Sequence, residues 1–248
     1  MMDMETETEL ELDRISNLPN DVTEKILSRL PLREAVRTIV LSSKWRYKSD
    51  MLRDLVFDDR CVSTRSGVTF VNIVDHVLLL HTSPIDKFKL SRKDELATRD
   101  MDRWIFHLSK NLVIKDMILK IWNWNPYNIP SCLFSYQDIV KLELQWCLLR
   151  PPSTFKGFRD LKSLDIMLVY LAQDVNENLV GGSPLLEILK LRSCTGFTNV
   201  KMDAPNLRII DITDTTLTII GNFLKYLSIG ALPEKLPKPC HYLNFLSV

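Results

Sequence analysis

Histidine and cysteine are the side chains most able to do chemistry in this chain, and their spacing argues against it. His76 and His81 lie five residues apart, which does not place two metal ligands on one helix face. His107 and His241 have no nearby cluster of cysteines or carboxylates. The five cysteines are odd in number and include no C-x-x-C pair, so neither a zinc knuckle nor a disulfide framework is predicted.

Catalytic motifs are also missing from the sequence. It contains no G-x-S-x-G, no glycine-rich phosphate loop and no H-E-x-x-H, and its 7 glycines are scattered. We therefore expect a binding function with no catalytic residue, no metal and no cofactor. A hydrolase with an unrecognised motif stays open as an alternative. Reduced thiols predict an intracellular location, in the nucleus, the cytoplasm or both.

The composition restricts the possible partners. The 248 residues carry a net charge of +1, are 46% hydrophobic and are 25% charged, which is typical of a globular protein. This balance gives no overall field to attract nucleic acid or an acidic membrane surface, so neither is an expected partner. No apolar run reaches the roughly 18 residues of a membrane span. The acidic start, MMDMETETELELD, lacks the order of a signal peptide, and residues 1–12 are predicted to be a flexible tail.

Residues 17–47 carry two short amphipathic segments that are separated by one proline. The first segment predicts a helix over 20–31, and Pro31 would end it. Its apolar side chains share one face at helical spacing: Val22, Ile26, Leu27 and Leu30. Helices of this length bury too little surface to be stable alone. They are therefore either the first layer of a larger core or a module that docks on a partner.

The order of landmarks in this region favours docking. Leu-Pro at 18–19, Ile-Leu at 26–27, Leu-Pro at 30–31 and Trp-Arg at 45–46 resemble the F-box, a three-helix motif that binds the Skp adaptor of cullin-based ubiquitin ligases. The resemblance covers about residues 13–50. It implies an adaptor-binding face made of Leu18, Pro19, Val22, Ile26, Leu27, Leu30, Pro31, Val36, Val40 and Trp45.

Beyond residue 51, a pattern with apolar residues at i, i+3 and i+5 recurs. The copies are LRDLVF (52–57), IDKFKL (85–90), DMILKI (116–121), IVKLEL (139–144), LKSLDI (161–166), LEILKL (186–191), NLRIIDI (206–212), LKYLSI (224–229) and LNFLSV (243–248). Most of the later copies are spaced close to the 20–29 residue period of leucine-rich repeats. Each copy therefore predicts one short strand, and the strands should stack in parallel along a solenoid.

Four positions within the repeats need separate predictions. Cys147 and Cys194 occupy the place where many leucine-rich repeats carry Asn or Cys, whose side chain bonds to a neighbouring turn. Trp124 has the same place in its own repeat and is expected in the core. Trp122 either packs between turns or contacts a partner. Helices are predicted over 70–81 and 98–111, and they should cover the convex side.

Together, these features resemble the plant F-box/leucine-rich-repeat proteins, many of which continue into a C-terminal module called FBD. The end of the chain resembles the junction to that module, so the module is expected to be missing and the last repeat uncapped. The predicted fold class is α/β. A small all-α F-box at residues 13–50 precedes an irregular leucine-rich-repeat solenoid at 51–248, with parallel strands on its concave face and helices and loops on its convex face.

The resemblance implies a non-catalytic substrate receptor. Its partners would be a Skp-family adaptor, a cullin reached through that adaptor, and an unidentified protein substrate. Alternation along the strands predicts the substrate-facing side chains: Lys87, Lys89, Lys120, Trp122, Lys141, Glu143, Gln145, Asp165, Met167, Lys190, Arg192, Asp211 and Thr213. A solvated face of mixed charge is the plain alternative for these residues. A truncated adaptor binder without a substrate and a simple repeat scaffold are the alternatives for the whole chain.

Overall fold

The structure is a computed structural model with two compact units, Met1–Ile85 and Asp86–Val248. It describes residues 18–27, 29–30, 34, 52–61, 69–110, 113–201, 204–213, 218–220, 226–229 and 244–245. The predicted domain limits at 12/13 and 50/51 lie outside these residues and stay predictions.

Among the described residues, helices and strands alternate up to Ile121, and beyond it Gln173–Gly181 is the only α-helix. The helices are α1 (Asn20–Leu27), α2 (Phe70–Leu80), α3 (Thr98–Ser109) and α4 (Gln173–Gly181), and short 3-10 helices cover Asp59–Cys61 and Ser131–Ser135. The strands are β1 (Asp54–Phe57), β2 (Lys87–Arg92), β3 (Asp116–Ile121), β4 (Tyr127–Asn128), β5 (Lys141–Gln145), β6 (Cys147–Leu148), β7 (Ser163–Met167), β8 (Ile188–Arg192), β9 (Asn199–Lys201), β10 (Ile209–Thr213), β11 (Thr218–Ile220), β12 (Tyr226–Ile229) and β13 (Asn244–Phe245). The predicted helices at 70–81 and 98–111 and the α/β class are confirmed.

Every copy of the apolar repeat contains a strand. In LEILKL (186–191), for example, strand β8 starts at the third residue of the copy, Ile188. Leu189 and Leu191 are fully buried, whereas Lys190 between them is half-buried. The weaker copy that begins with Asp116 also forms a strand, β3. Burial of the two later apolar positions therefore suffices to fix the strand.

The strands of the second unit form a parallel sheet in the order β2-β3-β5-β7-β8-β10-β12-β13. Equivalent residues of successive repeats are paired, as in the row Ile118, Glu143, Asp165, Lys190 and Asp211. Parallel neighbours require the chain to cross back between strands, and the intervening segments do this. The predicted parallel stack of repeats is confirmed.

The chain turns sharply after three successive strands. Trp146, Leu168 and Ser193 each have a left-handed backbone, with φ of 57°, 54° and 49°. Such a conformation costs roughly 1–2 kcal/mol for a residue that has a Cβ. Each amide compensates by donating to a carbonyl of the next repeat, for example Trp146 N–H to Met167 O at 3.0 Å. The same corner is therefore built with three unrelated side chains.

The segments between the strands carry the rest of the core. Phe134 packs edge-on against Phe155, with ring centroids 5.0 Å apart, and Phe155 packs in the same way against Phe158. The buried Tyr136 donates its hydroxyl to the carbonyl of Ile105 in α3 at 3.1 Å. These contacts connect α3 to the following repeats.

Two backbones approach closely next to α4, where glycine is required. A Cβ at Gly182 would lie 1.6 Å from the carbonyl oxygen of Lys156, and a Cβ at Gly157 would lie 2.3 Å from the carbonyl oxygen of Gly182. Gly157 also has a φ of +116°. The neighbouring Gly181 differs, because nothing lies within 4 Å of its Cβ position.

The prediction that Trp124 lies in the core is wrong, because its side chain is 86% exposed. The pairing of β4 with β6 explains why. Tyr127 pairs with Cys147, so Tyr127 takes the buried place that the repeat period assigned to Trp124. The extra residues form a loop that carries Trp124 into solvent.

Candidate functional site

Helix α1 has one buried side. Thr23 and Leu27, four residues apart, are each only 1% exposed. The Thr23 hydroxyl donates to the carbonyl of Pro19 at 3.1 Å, which satisfies a polar group that would otherwise be costly to bury. This side therefore supports α1 from within the first unit.

A second, neighbouring side of α1 is apolar and exposed. Val22 and Ile26, four residues apart on α1, are 36% and 39% exposed, and Leu30, in the turn that follows the helix, is 36% exposed. We call these three residues the α1 stripe. The sequence placed Leu27 on the same face, but the structure separates it from the stripe by burying it. An exposed row of aliphatic side chains is suited to binding another protein.

The other predicted adaptor contacts are only partly described. Leu18 is half-buried and Pro19 is exposed. Four further positions lie outside the described residues and stay predictions: Pro31, Val36, Val40 and Trp45.

The second candidate surface is the outward face of the parallel sheet. The strand residues predicted to face a substrate alternate with the buried core residues, as expected. These half-buried residues are Lys87, Lys89, Lys120, Lys141, Glu143, Asp165, Met167, Lys190, Arg192, Asp211 and Thr213. Trp122 follows β3 and is 50% exposed, which favours partner contact over packing between turns. Gln145 differs from the rest because it is only 5% exposed.

Glu143 is the centre of an ion-pair network on this face. Lys120 Nζ lies 2.8 Å from Glu143 Oε2, and Lys141 Nζ lies 2.7 Å from Glu143 Oε1. Burial of Glu143 favours its neutral form, but the hydrogen bonds from both lysines outweigh this and lower its pKa. The hydrogen bond to Glu143 in turn raises the pKa of Lys141. The two neighbouring strands β3 and β5 therefore hold a fixed charge cluster.

Positive charge is in excess on the predicted face. Its members include six lysines and arginines but three carboxylates. Two of the carboxylates are already paired, because Asp165 accepts from Arg192 Nη2 at 2.5 Å and Glu143 bonds two lysines. Within the described part of the chain, no ion pair is found for Lys87, Lys89 or Lys190. The predicted residues of this face therefore carry a net positive charge.

Three buried N–H donors lie at the carboxyl ends of β5 and β8. Gln145 Nε2, Trp146 Nε1 and Arg192 Nε have no hydrogen-bond partner among the described residues. Buried polar atoms without partners are uncommon in native proteins. The repeat pattern does not single out Trp146 as a candidate site residue, because nothing in it indicates a left-handed backbone at that position.

The two repeat cysteines, Cys147 and Cys194, are buried and contact backbone carbonyls. Cys194 Sγ contacts the carbonyl of Ile166 in the neighbouring strand at 3.5 Å, which matches the predicted bond to an adjacent turn. Cys147 Sγ instead contacts the carbonyl of Gln145 at 3.2 Å. Burial raises the pKa of Cys147 to about 12 and that of Cys194 to about 11. Neither thiol is therefore suited to nucleophilic chemistry at neutral pH.

In the part of the chain that the structure describes, no group of three or more His, Cys, Asp or Glu side chains could hold a metal ion. None of the described helices is both long enough and apolar enough to cross a membrane.

Family profiles match both regions of the chain. The F-box domain profile matches residues 15–57, which include α1. The profile described as the At1g61320/AtMIF1 LRR domain matches residues 78–223, which include strands β2 to β11.

Curated relatives from Arabidopsis thaliana have names that include both F-box and LRR-repeat. F-box/FBD/LRR-repeat protein At1g13570 is 37% identical over 95% of this chain and 64% of its own length. F-box/FBD/LRR-repeat protein At5g56420 is 27% identical over 85% of this chain and 51% of its own length. F-box/LRR-repeat protein At4g14103 is 29% identical over 82% of this chain and 62% of its own length. The chain thus spans about half to two thirds of the length of these relatives.

Proposed function

Because this chain belongs to the plant F-box/LRR-repeat proteins, we propose that it is the substrate-recognition subunit of a Skp–cullin–F-box ubiquitin ligase. The F-box would bind a Skp-family adaptor and, through it, a cullin. The repeats would bind a protein to be ubiquitinated. The complex would act in the nucleus, the cytoplasm or both.

The α1 stripe is the observation that carries the adaptor half of this proposal. It lies within the F-box match, and it leaves three aliphatic side chains in water although a buried side of the same helix is already complete. Docking would remove this apolar surface from solvent, which is the main favourable term in most protein association. The buried Leu27 and Thr23 would hold the helix rigid as the stripe docks.

The outward face of the sheet supports the substrate half. It presents half-buried polar and charged side chains in fixed rows, because the parallel register aligns equivalent residues of each repeat. Such preorganised rows lower the entropy lost on binding.

Ubiquitin transfer would be catalysed by other subunits of the ligase. This chain would act by proximity, holding the substrate near the charged conjugating enzyme so that the effective concentration of the two is high. No side chain of the receptor needs to take part in the reaction.

Affinity purification from plant tissue tests both halves. The bait would be the chain itself, with a variant that changes the α1 stripe to alanine as the matched control, after treatment with a proteasome inhibitor. We expect the unmodified bait to recover a Skp adaptor, a cullin and at least one ubiquitinated protein, and the variant to lose adaptor and cullin while keeping the target.

Two results would contradict this function. Failure of the unmodified chain to bind any Skp adaptor would indicate a repeat scaffold outside ubiquitination. Recovery of adaptor and cullin, with no protein whose ubiquitination depends on the chain, would indicate an adaptor binder without a substrate.

A further inference from the structure

One row of the outward sheet face has features that the ion-pair network does not explain. Lys120, Gln145, Met167 and Arg192 are paired in register across β3, β5, β7 and β8. They lie at the carboxyl ends of their strands, next to the corner residue Trp146. We call these five residues the end row.

The end row contains buried donors that need acceptors. Gln145 is 5% exposed and its Nε2 has no partner among the described residues. The same holds for Trp146 Nε1 and for Arg192 Nε. Arg192 uses Nη2 to bind Asp165, so Nε is a second, separate donor. All three unsatisfied atoms are N–H groups, and an occupant must therefore supply acceptor oxygens.

The charge of the whole face indicates which acceptor fits. The predicted face has six cationic side chains against three anionic ones. Lys120 and Arg192 of the end row are paired with Glu143 and Asp165, so among the described residues the unpaired positive charge lies on Lys87, Lys89 and Lys190 of the same face. A carboxylate offers two acceptor oxygens for the donors, and its negative charge is attracted by the excess positive charge of the face. Met167 lies between Gln145 and Arg192 and gives an apolar contact for a methylene stem.

The length of the row favours a peptide over a small anion. Adjacent strands are about 4.8 Å apart, so four strands span about 14 Å. This distance is covered by about four residues of an extended chain. A single inorganic anion would reach only part of the row.

We propose that the end row is a subsite for an acidic, extended segment of the target protein, with oxygens of that segment accepting from the donors of Gln145, Trp146 and Arg192. The assignment rests on the proposed receptor function and names the chemical class of the target. The exposed Trp122 beside the row adds an aromatic surface for neighbouring residues of that segment.

Fluorescence anisotropy with the full chain tests the subsite. The probe is a fluorescein-labelled peptide of alternating glutamate and serine, and its control is the same peptide with glutamine in place of glutamate. We expect only the acidic peptide to bind, with an affinity that falls as salt is added. Tighter binding of a single-stranded oligonucleotide than of the acidic peptide would overturn the assignment to a protein target.

Two substitutions separate the donors from plain charge. Gln145→Leu removes one donor, and Arg192→Lys removes Nε while keeping the positive charge. Each is expected to weaken acidic-peptide binding about tenfold, the usual effect of losing a hydrogen bond to a charged group. The control Gln137→Leu changes an exposed glutamine away from the row and should leave binding unchanged. Wild-type affinity in the double variant would overturn the subsite.

A melting experiment tests whether Gln145 has a merely structural role. Because Nε2 has no internal partner, Gln145→Leu should leave the Tm unchanged or raise it slightly. A drop of several degrees would mean that the amide serves the fold, contrary to the inference. Loss of peptide binding alone, with Skp binding and target ubiquitination intact, would remove the subsite but leave the proposed function standing.

Discussion

The α1 stripe allows a quantitative prediction about adaptor binding. We consider the triple variant Val22→Ala, Ile26→Ala and Leu30→Ala. The exposed fractions of these side chains, 36%, 39% and 36%, together amount to slightly more than one full aliphatic side chain. Burying one such side chain contributes about 2 kcal/mol. Alanine removes most of this surface, so the affinity for a Skp adaptor should fall roughly thirtyfold.

The assay is isothermal titration calorimetry of the full chain with a recombinant Skp adaptor. Leu79→Ala is the matched control, because Leu79 is a 78% exposed aliphatic residue on α2, outside the stripe. It should leave the adaptor affinity unchanged. A thermal melt of each variant checks the fold. The stripe variant should melt below the wild type because most of each of the three side chains is buried within the chain, so binding is measured well below its Tm.

The reasoning is refuted if the folded triple variant binds the adaptor with wild-type affinity. It is equally refuted if Leu79→Ala weakens binding as much as the triple variant does. Leu27→Ala serves as a contrast, because this residue is 1% exposed. It should lower the free energy of unfolding by about 2–5 kcal/mol, so any loss of binding would follow from loss of structure.

Two further predictions concern stability. Gly182→Ala should lower the free energy of unfolding by more than about 2 kcal/mol, because its Cβ would meet the Lys156 carbonyl. Gly181→Ala is the control and should be neutral or slightly stabilising. Equal urea midpoints for the two variants would contradict the close approach. Glu143→Gln should be less stable than the wild type at about pH 6, and the difference should shrink as the pH falls below about 4. The lowered pKa means that the ionised form adds stability above the unfolded pKa of about 4.3, and that this stability is lost as the pH falls through the folded value. A pH-independent difference in Tm would show that the ion pairs do not stabilise the fold.

Most of the fold follows from periodicity, because apolar spacing reports burial directly. The copy that starts with Asp116 still forms β3, since Leu119 and Ile121 are buried as the pattern requires. The helices at 70–81 and 98–111 were equally predictable from their spacing. These features depend on residues close together in the sequence.

The details of the two surfaces could not be read in the same way. Spacing alone placed Leu27 with the α1 stripe. In the structure Leu27 is buried on the same side of α1 as Thr23, a polar residue whose hydroxyl donates to the carbonyl of Pro19. Apolar periodicity does not indicate that a threonine marks the buried side. The burial of Gln145 depends on its neighbours in adjacent strands. The exposure of Trp124 depends on pairing between two repeats, which a count along one repeat cannot anticipate.

The loop before β4 has a consequence for how such proteins diverge. Tyr127 lies six residues after Ile121, whereas its partner Cys147 lies only three residues after Leu144, yet the two residues pair in register. Strand pairing, and not repeat length, therefore sets the pitch of the stack. Insertions at this corner are absorbed without disturbing the core, and the inserted residues emerge beside the sheet face. A corner of this kind can therefore differ in length and in exposed side chains while the paired strands stay in register.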